Sequence, residues 1–313
     1  MSSKVDVFIN DEKKPANIPS YETIVTQCFH LGPHQATATN ISGVRITLNK
    51  RSDNEVSDIW VKFGRNIAMG EAKTQRFVAQ YLEADDIPTV RAPRVYIAFT
   101  WGDFGFIVAE YIDGPICANS DVALVAAAVQ SLIAIPSPSS TPGPVGGGLI
   151  EHPFFINRTS SIWYESVQEL EDHINGVSGN TGGGRVSLGT KLCLCPSDLN
   201  RANFKKVEGN RIVALDFGGY SFLPPSFFAF VLHRGDPSNF THRIARRLVY
   251  RPSTTEVAAM VSASCALVPR SSNDIGEQIS LLSFLLIASL PLTRIPSSMC
   301  CTGLSEELES RLR

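Results

Sequence analysis

The chain has 313 residues, 43% of them hydrophobic and 19% charged, and its 28 Lys+Arg against 30 Asp+Glu leave a net charge of -2. That composition excludes a disordered chain, which would be rich in charge and poor in apolar side chains. The missing basic excess speaks against a nucleic-acid partner. The length suits two modest lobes or one large α/β domain better than one small core.

Seven cysteines, an odd number scattered along the chain, do not make a disulfide framework. Met1 to Lys14 has no apolar stretch of the kind a signal peptide carries. The longest apolar run, Ile279 to Leu292, is interrupted by serines and a proline. It falls short of the roughly 20 residues a bilayer span needs. It reads as a core helix, and the chain as a soluble, cytoplasmic protein with no membrane contact.

In chain order, Val44 to Asn49 and Asp58 to Phe63 alternate apolar and polar residues as half-buried strands do. Met69 to Glu83 has a helical pattern. Two further strands, Arg94 to Thr100 and Phe106 to Ile112, are joined by a turn at Trp101-Gly102-Asp103. After Asp113-Gly114-Pro115 the character changes. Ser120 to Ile135 and Ser160 to Ile174 read as helices, with a loop rich in Pro, Gly and Ser between them. Short strands are expected at Lys191 to Leu194 and Arg211 to Leu215, and mainly helices from Pro224 on. A small β-rich lobe thus precedes a larger α-rich one, with the boundary near Asp113.

The informative segment runs from Leu192 to Gly219. Asp198 follows one strand, Asn203 comes five residues later, and Asp216 ends the next strand before Phe217-Gly218. This D-x-x-x-x-N followed by D-F-G resembles the catalytic and metal loops of the protein-kinase-like fold. Within that fold the chain is most similar to the small-molecule kinases of the aminoglycoside/choline phosphotransferase-like family. The segments FGGYSFLPPSFF and VGGGLIEHPFF resemble its fungal members.

The resemblance implies an α+β, two-lobe fold with a nucleotide-binding N-lobe over 1–113 and a C-lobe over 114–313. It implies ATP and Mg²⁺ as cofactors and a small hydroxylated molecule as acceptor. Asp198 would be the catalytic base, and Asn203 and Asp216 the metal ligands, hard oxygen donors that suit magnesium. Lys62, a charged residue inside the apolar strand IWVKF, would touch the nucleotide phosphates and pair with Glu71 on the next helix. Glu110 to Asp113, with Glu110 and Ile112, would form the hinge whose backbone reads the base.

Beside it stand plainer readings: Lys62 on an exposed edge strand, Glu71 as a first-turn acid, and strand-end aspartates that cap turns.

Two departures weigh on the activity. Pro196 stands where relatives carry histidine, and between His34 and Ile46 only Gly43 hints at a phosphate loop. A kinase-fold protein that has lost phosphoryl transfer, serving as a binding module or in another biosynthetic reaction, therefore stays open. Other features carry less. The glycine runs Gly143–Gly148 and Thr181–Gly184 lack the Lys-Ser/Thr of a phosphate loop. Cys193 and Cys195 have no metal-ligand partners in sequence. No serine-hydrolase elbow occurs. Glu165, Glu169, Glu171 and Asp172 read either as a solvated helix face or, by the resemblance, as a site for a cationic acceptor.

Overall fold

The computed structural model describes residues 5–31, 42–49, 57–179, 184–234, 239–250, 253–268 and 273. The apolar run at 279–292, Cys300-Cys301, most of Thr181–Gly184 and the stretch where a phosphate loop was sought, up to residue 41, lie outside them.

The N-terminal part is an antiparallel sheet. Its strands are β1 (Val5–Asn10), β2 (Ser42–Thr47), β3 (Asp58–Gly64), β5 (Val95–Trp101) and β6 (Phe104–Glu110), after β4 (Val90–Arg91), which belongs elsewhere. The five strands lie in the order β1-β5-β6-β3-β2. Alternation explains β3: Ile59, Val61 and Phe63 are buried in the apolar layer, while Trp60 and Lys62 point to the other face. Helix α1 (Tyr21–Leu31) contributes Ile24, Val25 and Cys28 to that layer. Phe63, Phe99 and Phe106 stack in its centre.

Helix α2 (Met69–Ala84) crosses the opposite face. Glu71, Thr74, Gln75, Val78 and Leu82 are its buried stripe at helical spacing. Its two ends serve different cores. Ala72 packs with Ile9, Ile67 and Ile107 beneath the sheet, whereas Val78 and Leu82 join the core of the C-terminal part.

That second part is mainly helical: α3 (Val122–Ile133), α4 (Val167–Gly179), α5 (Pro225–His233), α6 (Phe240–Ala245) and α7 (Thr254–Leu267). Two small sheets are set among them. Strand β7 (Cys193–Pro196) pairs with β10 (Tyr220–Leu223). Strand β9 (Ile212–Ala214) lies between β8 (Phe204–Lys206) and β4. The fold is therefore mixed α+β, sheet first and helices after, as the sequence predicts.

Several local expectations shift. The second C-terminal helix begins at Val167 rather than Ser160 and runs on to Gly179. Residues 160–166 are held instead by the Ser160 hydroxyl, which donates to the Ile162 carbonyl and accepts from Ile150 N–H. The two short strands expected at Lys191 to Leu194 and Arg211 to Leu215 stand in separate sheets, β7 with β10 and β9 between β8 and β4. Cys28, Cys117, Cys193, Cys195 and Cys265 are all free thiols. Burial pushes Cys28 up to about 12 and Cys117 and Cys193 up to about 11, so these thiols remain protonated.

Candidate active site

Lys62 is the centre of the site. Strand β3 is paired on both sides, with Gly43 of β2 and Ile107 of β6 opposite Lys62. The side chain is 13% exposed, and Nζ donates to Glu71 Oε1 and to Asp216 Oδ1, both at 2.6 Å. Burial works against the lysine's charge, but the facing Glu71 and Asp216 carboxylates outweigh it and hold its pKa above the ordinary value. Burial raises the pKa of Glu71, and the Lys62 charge opposes that rise.

Only four residues, Arg65 to Ala68, separate the strand from α2. Glu71 sits in the first turn, where the helix dipole favours a carboxylate. The plainer reading of Lys62 as a solvated edge residue does not hold.

Asp216 follows β9 with φ 52°, a left-handed conformation uncommon for any residue but glycine. The next turn is equally constrained. Gly219 has φ +83°, and a Cβ there would collide with the Ser197 hydroxyl. Ser197 adjoins Asp198, so this close approach ties the segment after Asp216 to the one before Asp198. Asp198 Oδ1 accepts from Asn200 N–H at 3.0 Å, and Asn200 caps the short turn Arg201–Asn203 by accepting from Ala202 N–H. Asn203 Nδ2 donates to the Asp198 carbonyl at 3.2 Å, and the Leu215 N–H donates to the Asn203 carbonyl at 2.8 Å. These bonds bring the three residues into one unit.

A cavity of about 300 Å³ lies between the sheet and this unit. Lys62, Glu71, Glu110, Ile112, Asn203 and Asp216 all line it. Asp198 does not. Its place is marked by Tyr220, a buried phenol whose pKa is raised by burial first and then by the Asp216 and Asp198 charges. The Tyr220 hydroxyl has no hydrogen-bond partner among the described residues.

Two hinge groups are already bonded, the Glu110 carboxylate and the Ile112 backbone carbonyl. Glu110 Oε2 accepts from Arg91 Nη1 at 2.8 Å, and the Ile112 carbonyl accepts from Lys205 Nζ at 2.7 Å.

Sequence reasoning missed two contributors, Trp60 and Glu151, and placed a third, Tyr111, only within the expected hinge. Trp60 lies two residues before Lys62, on the same strand face. Its indole presses on Gly43 so closely that a Cβ at residue 43 would collide with the ring edge. Tyr111 lines the cavity and stacks under Arg45, whose carbon centre is 4.3 Å from the ring centroid. Glu151 is a further carboxylate near Lys62 and Asp216, its pKa raised by burial, with the Lys62 charge acting to lower it. Only the anomaly of Trp60, an aromatic on the polar face of a strand, could have been noticed in advance. The acids of α4 stand apart from this cavity: Glu169 Oε2 accepts from Glu165 N–H and Glu171 Oε2 from Leu188 N–H.

Compared by sequence, the chain matches no family model and no curated protein. Several solved structures resemble it at low identity. A spectinomycin phosphotransferase, solved with ADP and spectinomycin, is 9% identical with a TM-score of 0.44, over 87% of this chain and 95% of that one. An aminoglycoside phosphotransferase from Streptomyces rimosus is 14% identical with a TM-score of 0.39, over 79% of this chain and 99% of that one. A choline kinase from Streptococcus pneumoniae is 14% identical with a TM-score of 0.37, over 86% and 99%. The architecture itself is mixed α+β, with a β-sheet region first and helices after it. Among the described residues no helix is long and apolar enough to cross a membrane.

Proposed function

We propose that the chain is an ATP-dependent phosphotransferase that moves the γ-phosphoryl group to a hydroxyl of a small molecule. The observation that carries this reading is the Lys62 ammonium held between Glu71 and Asp216 at the wall of a cavity that Asn203 also lines. In phosphoryl transfer the protein mainly positions the phosphates and neutralises their charge. Lys62 supplies a fixed cation for that purpose, and Glu71 orients it. Glu110 and Ile112 form the wall for the base, within a nucleotide-binding part over 1–113, and the acceptor lies against the part over 114–313.

The donor set fits Mg²⁺. Among the described residues no group of three or more His, Cys, Asp or Glu could hold a metal ion alone, and magnesium bound with substrate phosphates does not require one. Asp216 would hold it with a carboxylate oxygen. Asn203, whose Nδ2 is committed to the Asp198 carbonyl, would use Oδ1. Bound there, the ion would neutralise phosphate charge. Asp198 is the base that takes the acceptor's proton. The fungal-type kinship of the glycine-rich segments belongs to the same proposal.

A second reading keeps nucleotide binding without transfer, and it is favoured by the position of Asp198 outside the cavity lining. ADP release against a panel of small hydroxylated and amino-hydroxylated acceptors separates the two. Turnover that Asp198→Asn abolishes supports transfer. Nucleotide binding with no ADP from any acceptor supports the binding module.

A further inference from the structure

We infer that a second cavity, sharing Glu110 with the cleft, is a binding site for a small oxyanion of metabolite size, a phosphate or a polycarboxylate. It has a volume of about 430 Å³ and lies between α2, β5 and the segment around β4. Lys62, Asn203 and Asp216 are not among its walls. Four arginines are: Arg76, Arg91, Arg94 and Arg211.

Two of these arginines already have acidic partners. Arg94 Nε donates to Asp11 Oδ2 at 3.0 Å, and Arg91 Nη1 donates to Glu110 Oε2 at 2.8 Å. Arg211 commits Nη2 to the carbonyls of Ile87 and Val90. The Nε atoms of Arg76 and Arg211 are buried and have no hydrogen-bond partner among the described residues. The remaining acids of the lining, Glu83 and Asp86, are exposed residues, where solvent screens their charge.

Buried N–H groups of a cation are costly to leave unmet. A guanidinium presents its donors as a planar fork, matched to two oxygens of one phosphate or carboxylate. One unmet Nε donor on each of two guanidinium groups, beside two others already holding carboxylates, makes a cavity that an oxyanion completes. The volume lies in the range of ordinary small-molecule sites. The ligand would adjoin the Arg91–Glu110 pair, and Glu110 is also a wall of the cleft.

The test is calorimetric titration of the full chain, free of nucleotide, with citrate and separately with inorganic phosphate. At least one of them should bind the wild type, and which one binds distinguishes the polycarboxylate from the phosphate. Arg76→Gln should weaken that binding about tenfold or more, the loss of one charge-assisted contact. Gln80→Glu, which keeps every arginine and adds a negative charge at an exposed wall residue, should weaken it as well, and it carries the test should Arg76→Gln fail to fold. Lys62→Ala should leave it unchanged. The inference is overturned if neither anion binds, if Arg76→Gln and Gln80→Glu bind like the wild type, or if Lys62→Ala, shown to be folded at the titration temperature, loses binding, which would place the anion in the cleft.

Discussion

The two walls of the cleft are held in different ways. Lys62 projects from a strand laddered on both sides, and Glu71 from the first turn of a helix. Their positions are set by many repeated backbone bonds. Asn203 and Asp216 of the other wall, and Asp198 bonded to them outside the lining, sit on turns, held by a few bonds between neighbours and by a left-handed residue. A substitution on the sheet wall should therefore change charge without moving the backbone. One on the turns should displace its neighbours wherever it removes one of these bonds, which Asp198→Asn, keeping an Oδ1 acceptor, does not.

The largest expected effect is on the turns. Asp198→Asn should lower turnover about 10²–10⁴-fold, the usual worth of a general base, while nucleotide affinity stays close to wild type. Steady-state kinetics beside nucleotide titration checks this. An equal loss of affinity would mean that the turn has moved.

On the sheet wall, Lys62→Ala leaves the Glu71 side chain, 5% exposed, without its cation. Removing one partner of a buried pair costs about 3–5 kcal/mol. Denaturant unfolding at neutral pH should show this loss, with nucleotide affinity falling too. Burial already raises the Glu71 pKa. Without Lys62 the carboxyl should take a proton more readily, so the variant should regain part of its stability as pH falls. Lys62→Ala with Glu71→Gln should recover part of it at neutral pH. A double variant no more stable than the single one would contradict the pairing.

Gly219→Ala probes the turn wall from the other side. It forces an L-residue to φ +83° and pushes on Ser197. A residue held in such a region costs about 1–3 kcal/mol, and here the displaced neighbour adjoins Asp198. Stability and turnover should fall together, whereas Gly102→Ala, at φ +57° with open space around it, should lower stability alone.

The smallest effect lies away from both walls. His152 is fully buried, and burial holds its pKa down to about 3. Its Nδ1 accepts from Phe154 N–H, so Nε2 is the protonated nitrogen facing the Phe227 carbonyl. Below the ordinary histidine value of about 6.5 the unfolded chain takes up a proton that the folded chain refuses. Stability from this residue is complete above that pH and falls by about 1.4 kcal/mol per pH unit toward the folded value. Unfolding curves between neutral pH and pH 5 should be flatter for His152→Gln than for wild type.

The same contrast decided what was legible in the sequence. Strands β3, β5 and β6 and helix α2 stand within two residues of the expected bounds, because β3 and α2 bury one face of a simple period and β5 and β6 are short apolar runs buried on both faces. Lys62 and Glu71 were readable for that reason. Strands β1, β4, β8 and β10 were not anticipated. They are short edges or pairings between distant segments, such as Val90 with Ile212, and no local pattern encodes a partner. Helix α4 was displaced because Ser160 and Ser166 bond locally to backbone, and Ser166 accepts from Glu169 N–H at the helix start. The spacing from Asp198 to Asp216 could be read, but not that Asp198 would stand outside the cavity that Asp216 lines.

Whether the Lys62–Asp216 site holds the phosphates of a nucleotide with Mg²⁺ is tested most directly by titrating the wild type and Asp216→Ala with ATP, with and without Mg²⁺, while following thermal unfolding. The wild type should be stabilised by roughly 2.7 kcal/mol at 100 times its dissociation constant, and Asp216→Ala should lose most of the Mg²⁺-dependent share. A folded wild type indifferent to millimolar nucleotide, or an Asp216→Ala variant with the wild-type response to Mg²⁺, would contradict the account.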